Sequence, residues 1–160
     1  MSALTNAFVI AALIGSAMMA GLFFIFSNTV MEVLARLQAP AGIAAMQSIN
    51  ALILNPVFLG IFMGTAVCSL IVAVRAAMTW GSPGVSWAAT GGLLYLLGCF
   101  LVTGAGNVPL NNALAAVDAS SPQALPVWEH YLNRWTRLNT LRTVASGLGA
   151  LLLAISLLAR

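Results

Sequence analysis

A group of polar and aromatic side chains between residues 107 and 142 interrupts a sequence that is otherwise almost entirely apolar. The chain has 160 residues, of which 61% are hydrophobic and 6% are charged. The side chains in this segment that could act on a ligand are Asn107, Asn111, Trp128, His130, Tyr131, Trp135, Asn139 and Arg142. Amides supply both donors and acceptors, a guanidinium supplies donors, and aromatic rings can stack on a ligand. These residue types predict a binding site.

Five of these residues recur at helical spacing. Trp128, Tyr131, Trp135, Asn139 and Arg142 are three or four positions apart, so they share one helix face. Tryptophan and tyrosine are enriched at membrane interfaces, which makes anchoring and core packing one interpretation of the aromatic part. A platform on which a ligand stacks is the other.

Arg142 stands at the start of an apolar run, where a charge is costly. An ionised arginine at the centre of a membrane helix costs about 2.5–3.5 kcal/mol on insertion scales, and less near the interface. The side chain could extend to the lipid headgroups. It could equally be buried in a network with Asn139, one turn earlier, and with the amides of residues 107–112 from a facing helix.

His130 is the only histidine in the chain. A metal site with two histidines is therefore excluded within one chain, and neither a metal nor another cofactor is predicted. Histidine titrates near neutral pH, which makes His130 a candidate general base. A solvated loop histidine is the simpler alternative, and the neighbouring Glu129 does not share its helix face.

The segment around Pro109 also has two interpretations. Proline disfavours a helical conformation for the preceding residue, here Val108, and asparagine side chains can bond the local backbone. Residues 107–111 are therefore predicted either to end a helix as a capped loop or to line a pocket with their amides.

Four apolar runs must position these residues. They cover about residues 4–26, 56–74, 85–105 and 141–158, and about 20 apolar residues span the hydrocarbon of a bilayer. We expect one domain, residues 1–160, with an all-α fold: an antiparallel four-helix transmembrane bundle with interfacial helices in loops 1 and 3. Pro56 either opens the second span or kinks a longer helix. The first run is longer than the core of a signal peptide, so we expect it to be retained.

Alternating helix directions place loops 1 and 3 at the same end of the bundle. By this argument the chain is polarised, because eight asparagines lie at that end: Asn28, Asn50, Asn55, Asn107, Asn111, Asn112, Asn133 and Asn139. We therefore expect the site there. Four arginines lie at the end formed by loops 1 and 3, and two, Arg75 and Arg160, lie at the opposite end. Because arginine is enriched on the cytoplasmic side, this count predicts that both termini are outside. If Arg134 to Arg142 serve a site, they do not indicate the orientation, which then stays open.

A mean hydropathy of +1.02 and long uncharged runs indicate a membrane protein. The six basic residues are arginines scattered along the chain, so no nucleic-acid-binding patch forms. The expected partners are the lipid bilayer and a lipophilic small molecule. Gly60 and Gly64 have the spacing at which membrane helices approach closely, which is also compatible with a homo-oligomer. We expect a multi-pass integral protein of a bacterial cytoplasmic (inner) membrane.

Several of these residues resemble the pattern of the DUF1772, or anthrone-oxygenase-like, group of small membrane proteins. The matching positions are Asn50, the run Asn107-Val108-Pro109-Leu110-Asn111, the residues Trp128, Tyr131 and Trp135, and the run Asn139-Thr140-Leu141-Arg142-Thr143. The resemblance covers most of the chain and is specific in its second half. It implies oxidation of a lipophilic phenolic, anthrone- or quinol-like, without metal or flavin: the substrate loses a proton and its carbanion reacts with dioxygen.

Under this resemblance, Arg142 and Asn107 would stabilise a phenolate or enolate, and His130 would be the base. The residues expected to bind the substrate are Asn50, Asn111, Trp128, Tyr131, Trp135 and Asn139. The first hypothesis is therefore a cofactor-independent oxygenase or related oxidoreductase. The alternative is a membrane binding or assembly protein for a quinone, a lipid or a protein partner.

Overall fold

The computed structural model describes residues 3–159, and nearly all of them are helical. The seven α-helices are α1 Ala3–Ile25, α2 Met31–Arg36, α3 Ala39–Leu52, α4 Pro56–Met78, α5 Val85–Tyr95, α6 Val108–Ala115 and α7 Ala124–Leu158. Three π-helical segments occur between them, at Phe26–Val30, Leu96–Leu101 and Thr103–Asn107. No strand occurs in the described residues. Arg160, one of the two arginines assigned to the opposite end of the bundle, lies outside the described residues.

The π-helical segments continue the helices they follow, so four long helices result. They are Ala3–Arg36, Pro56–Met78, Val85–Ala115 and Ala124–Leu158, and each is long and apolar enough to cross a membrane. This confirms the predicted all-α fold with four spans. The protein is a multi-pass integral membrane protein.

The four long helices pack in chain order as a closed bundle. Each packs against the next along the chain, and α7 packs against both α5 and α1. Short connections between consecutive helices make neighbours antiparallel. The small helix α3 lies in the first connection, as expected for an interfacial helix in loop 1, and it contacts α6 and α7.

Two helices in the second half of the chain extend beyond the spans predicted there. The fourth span and the interfacial helix expected before it are one continuous helix, α7, of 35 residues. The third span, predicted to end near residue 105, continues to Ala115. No glycine or proline lies between residues 127 and 146 to separate the two predicted parts of α7, and one buried face runs through both.

Pro109 does not end the third span, so the expected capped loop at residues 107–111 is wrong. Val108 has helical dihedral angles of φ −61° and ψ −47°, and Pro109 lies in the first turn of α6. The N–H of Val108 bonds to the carbonyl of Thr103, five residues back. A π-helical turn already displaces the regular hydrogen bonds, so the missing N–H of proline costs little there. Asn107 and Asn111 consequently stay on one helix.

Pro56 opens the second span instead of kinking a longer helix. Asn55 caps α4, because its Oδ1 accepts hydrogen bonds from the backbone N–H groups of Val57 (3.1 Å) and Phe58 (3.0 Å). Proline suits the first turn, where its absent N–H would have no partner in any case. Pro40 likewise lies in the first turn of α3, although no side chain caps that helix.

Small residues decide where the long helices approach closely. A Cβ atom on Gly91 would lie 2.9 Å from the carbonyl oxygen of Gly149, on the facing helix. By contrast, nothing lies within 4 Å of a Cβ atom built on Gly60 or Gly64. The Gly60 and Gly64 pair therefore does not pack against another helix of the described chain, and it faces outward.

We expect Gly91→Val to destabilise the bundle by about 1–3 kcal/mol, the usual cost of overpacking a close contact. Gly64→Val is the matched control, and its effect should stay within about 0.5 kcal/mol. Reversible unfolding in mixed micelles of rising dodecyl sulfate content, followed by circular dichroism, measures both free energies. Equal losses for the two variants would contradict the close approach at Gly91.

Candidate functional site

The polar and aromatic face of α7 points into the bundle. Trp128, Tyr131, Trp135, Asn139 and Arg142 are all buried, and none is more than 5% exposed. The shared face predicted from their spacing is therefore confirmed. The face passes from an aromatic part near the start of α7 to Asn139 and Arg142 one and two turns further along.

A cavity of about 90 Å³ lies beside this face, at the end of the bundle formed by loops 1 and 3. Every long helix and α3 contribute to its wall. Its lining residues are Leu22, Phe23, Phe26, Ile49, Asn50, Ile53, Leu54, Phe58, Thr103, Asn107, Val108, Asn111, Trp135 and Arg142. The wall is thus mainly apolar and aromatic, with a few polar groups that converge on one side.

Arg142 is buried and bonded, so the network interpretation is correct and extension to the headgroups is not observed. Its Nη2 donates to Oδ1 of Asn139 (2.6 Å) and its Nη1 donates to Oγ1 of Thr103 (3.1 Å). The guanidinium carbon lies 4.1 Å from the ring centre of Phe23 and 5.3 Å from that of Trp135. A cation over aromatic faces is stabilised by their quadrupoles. Asn139 is an acceptor, as expected, but Thr103 takes the place of the expected amides, because neither Asn107 nor Asn111 accepts from Arg142.

No carboxylate balances the charge of Arg142 within residues 3–159. The chain has three acidic residues, all of them in that range and all exposed. Glu32 pairs with Arg36 at 2.9 Å. Asp118 accepts hydrogen bonds from the backbone and hydroxyl of Ser120, which lower its pKa. A buried cation without a counterion is costly, and it creates a strong preference for an anion in the adjoining cavity.

Asn139 fixes the position of Arg142. While its Oδ1 accepts from the guanidinium, its Nδ2 donates to the carbonyl of Phe23 (2.7 Å) and to Oγ of Ser27 (2.7 Å). These bonds tie α7 to the end of the first span. The guanidinium of Arg142 is therefore held at Nη2 by Asn139 and at Nη1 by Thr103.

Asn111 holds the aromatic part of the face. Its Oδ1 accepts from the hydroxyl of Tyr131 (2.9 Å) and from Nε1 of Trp135 (2.8 Å), and Nδ2 of Asn50 donates to the same hydroxyl at 3.3 Å. Tyr131 stacks between Trp128 and Trp135, with ring centres 5.8 Å apart on each side. The rings thus stack on one another. Of the three aromatic residues expected to stack on a ligand, only Trp135 lines the cavity.

Removing the Asn111 acceptor should destabilise the protein. We expect Asn111→Leu to lower the free energy of unfolding by about 2–4 kcal/mol, because two buried donors lose their partner at about 1–3 kcal/mol each. Asn112→Leu, at the exposed neighbouring position, is the control and should have little effect. Dodecyl sulfate titration followed by tryptophan fluorescence compares the two. A loss of the same size at Asn112 would show that the hydrogen bonds are unimportant.

Two buried polar atoms at the cavity have no partner among the described residues. Asn107 donates from Nδ2 to the carbonyl of Trp135 (3.3 Å), which leaves its Oδ1 without a donor. Nε of Arg142 likewise has no acceptor. Buried polar groups are normally satisfied, and both residues belong to the lining of one cavity, so this wall offers an acceptor and a cationic donor that a polar ligand would satisfy. A molecule with one hydroxyl donor and one oxyanion would satisfy both.

His130 does not lie with these residues. It is exposed and lines a separate, open groove together with Arg134. Of the eight asparagines expected at this end of the bundle, four meet at the site, namely Asn50, Asn107, Asn111 and Asn139. The other four, Asn28, Asn55, Asn112 and Asn133, are exposed.

Two residues of the site, Thr103 and Phe23, were not predicted from the sequence. Thr103 carries a signal that could have found it, because it precedes Asn107 and Asn111 at the same four-residue spacing. Phe23 carries no such signal among the many apolar residues of the first span. In the described part of the chain, no group of three or more histidine, cysteine or acidic residues could hold a metal ion.

A family model for anthrone oxygenase matches residues 57–152. The chain belongs to the anthrone oxygenase family. At the level of the family, this indicates an oxygenase-like function. The matched region contains Thr103, Asn107, Asn111 and Arg142, which line the cavity, and Asn139, which bonds to Arg142. Asn50, which also lines the cavity, precedes the matched region. No curated protein and no solved structure matches the chain significantly.

Proposed function

We propose that the protein is a cofactor-independent oxygenase that oxidises a lipophilic phenolic of anthrone or quinol type in the cavity beside Arg142. One observation carries this proposal: a buried guanidinium without a carboxylate partner adjoins an apolar cavity and keeps an unbonded Nε. A neutral substrate that becomes an anion during the reaction is the ligand such a site would favour. The charge then stabilises the anion more than the ground state, which is the condition for catalysis.

The proposed reaction needs no external reductant. An anthrone loses a proton from its methylene carbon, and the negative charge is shared with the carbonyl oxygen on the opposite side of the same ring. The carbon of this anion adds dioxygen, and the resulting peroxide takes up a proton. Loss of water from the hydroperoxide leaves a second carbonyl group. One anthrone and one dioxygen thus give one quinone and one water, with all electrons supplied by the substrate.

The chain's own residues would orient and stabilise this anion. Nε of Arg142 would donate to the developing oxyanion, and Oδ1 of Asn107 would accept from a neighbouring hydroxyl group of the substrate. Phe23 and Trp135 would confine the rings, since both line the cavity. Asn139 would act through Arg142 as a positioning residue.

The proton acceptor in this proposal is water at the mouth of the cavity. The sequence made His130 the candidate base, but its side chain is exposed on a different groove. No carboxylate lines the cavity either. Stabilisation of the anion by Arg142 would therefore have to drive the loss of the proton.

Substrate access would require one wall of the cavity to move. Ligand pockets typically measure about 300–1,000 Å³, whereas this cavity has about 90 Å³. Ile49, Ile53 and Leu54 form a wall at the end of α3, where Leu52 and Leu54 are 76% and 63% exposed. We infer that the substrate enters from the bilayer past this end of α3.

Oxygen uptake by the purified protein tests the proposal. Protein in lipid nanodiscs, freed of metals by a chelator, should consume one dioxygen for each anthrone converted to quinone. His130→Gln should retain this rate, because His130 lies away from the cavity. If folded protein consumes no oxygen with a panel of anthrones and hydroquinones, the proposed function is wrong.

A further inference from the structure

A groove on the outer surface of the bundle is lined by two basic and six apolar residues, and it takes no part in the proposed reaction. The groove has a volume of about 370 Å³ and lies between the third span and α7. We call it the basic groove; it is lined by Val102, Ala105, Gly106, Pro109, Leu110, His130, Arg134 and Leu138. Its only charged or titratable lining residues are His130 and Arg134.

A second groove of about 400 Å³ continues along the same seam between the helices. Its lining residues are Thr90, Leu93, Leu94, Leu97, Gly98, Val102 and Leu141. Val102 belongs to both grooves, so the second one extends the first. Because a helix rises about 1.5 Å per residue, the stretch from Thr90 to Val102 is about 18 Å long. One leaflet has about 15 Å of hydrocarbon, so this apolar groove has the length of an acyl chain.

The basic groove lies at the depth of the lipid headgroups. The helix α7 has 35 residues, or about 52 Å, which exceeds the hydrocarbon thickness of about 30 Å. If Leu141 marks the edge of the hydrocarbon, Arg134 lies about 10 Å beyond it. Arginine and histidine at this level can meet a phosphate, while the apolar part of the seam remains inside the hydrocarbon.

The two sides of α7 differ in charge at this end. On the other side of α7, a groove is lined by both Glu32 and Glu129. Arg137, which follows Arg134 by about one helical turn, is also exposed. Within residues 3–159 the only ion pair is that of Glu32 with Arg36, so no carboxylate neutralises Arg134. An anionic headgroup is therefore complementary to the side of α7 that carries Arg134, whereas the other side carries two carboxylates, one of them paired with Arg36.

We propose that this seam binds one anionic phospholipid from the bilayer. Arg134 and His130 bind the phosphate, and one acyl chain lies in the apolar groove between Thr90 and Val102. Binding here does not depend on the oxygenase reaction, because neither basic residue lines the cavity at Arg142.

Native mass spectrometry of the detergent-purified protein tests this site by titration with single lipids. We expect phosphatidylglycerol to bind at least about fivefold more tightly than phosphatidylcholine of the same chain length, because one basic residue contributes about that factor near an anionic lipid surface. Arg134→Gln should abolish the preference. Arg75→Gln, which removes the same charge at the far end of the bundle, should preserve it.

A second variant tests the apolar part of the site. Val102→Trp should fill the junction of the two grooves and weaken binding of phosphatidylglycerol, while glycerol phosphate without acyl chains should not compete with the lipid. Equal binding of the two lipids by the unsubstituted protein would overturn the proposal. So would an unchanged preference in the variant Arg134→Gln.

Discussion

Replacing Arg142 by glutamine is expected to slow oxygenation by about a hundredfold to a thousandfold, the usual cost of removing one donor to an oxyanion. Glutamine keeps one hydrogen-bonding end but loses the charge that the substrate anion requires. Stability should respond differently. A buried charge without a counterion destabilises the fold, so its removal should leave the free energy of unfolding unchanged or raise it. Oxygen uptake and dodecyl sulfate titration on the same preparation measure both effects.

Arg137→Gln is the matched control for this variant. Arg137 is exposed on the same helix, so its loss should change neither the rate nor the stability appreciably. A variant Arg142→Gln that turns over at the unsubstituted rate would remove Arg142 from the reaction. A large loss of stability together with activity would instead assign Arg142 a structural role.

Replacing Asn139 by aspartate should strongly reduce activity by a different route. The Asn139 oxygen already accepts from Arg142 at 2.6 Å, so a carboxylate in its place would form an ion pair with the guanidinium. The charge would then be balanced internally and no longer offered to the substrate. We expect turnover to fall by about a hundredfold. The helical content should be retained, but the free energy of unfolding should fall, because aspartate cannot replace the donation from Nδ2 of Asn139 to the carbonyl of Phe23.

Asn133→Asp provides the control for this second prediction. It places the same negative charge on an exposed position of α7 and should leave turnover close to that of the unsubstituted protein. Circular dichroism verifies the helical content of both variants. If Asn139→Asp keeps full activity, the uncompensated charge of Arg142 is not what drives the reaction.

Helical periodicity was enough to predict which residues of α7 share the buried face of the candidate site. The steps of three and four from Trp128 to Arg142 place these residues on one side of any helix, whatever surrounds it. The same rule places His130 off that side, and it was a candidate only because histidine as a residue type suits general-base chemistry. Periodicity was the better guide in this case.

The partners of the buried face could not be predicted in the same manner. Asn139 bonds to Phe23 and Ser27, which are more than a hundred positions away in sequence. Such contacts depend on how each helix is rotated about its own axis. Helix parity brought eight asparagines to one end of the bundle, but rotation decided which four of them point inward.

The continuity of the helices also escaped prediction, for a local reason. Pro109 ordinarily argues for a helix end, yet the π-helical turn at Thr103–Asn107 accommodates it. Such a turn keeps Thr103, Asn107 and Asn111 on one helix beside the cavity. The polar side of the site therefore depends on an irregularity that the amino-acid pattern alone does not specify.

The ionisation of a bound phenolic tests most directly the claim that Arg142 stabilises a substrate anion. A hydroxyanthraquinone changes its visible absorption when its phenol loses a proton, so its pKa can be measured free and bound to the protein in nanodiscs. A charge-assisted hydrogen bond contributes about 1.5–3 kcal/mol, so binding should lower the pKa of the ligand by about one to two units, and Arg142→Gln should remove the shift. A bound pKa equal to or above the free value would contradict the proposed role of Arg142.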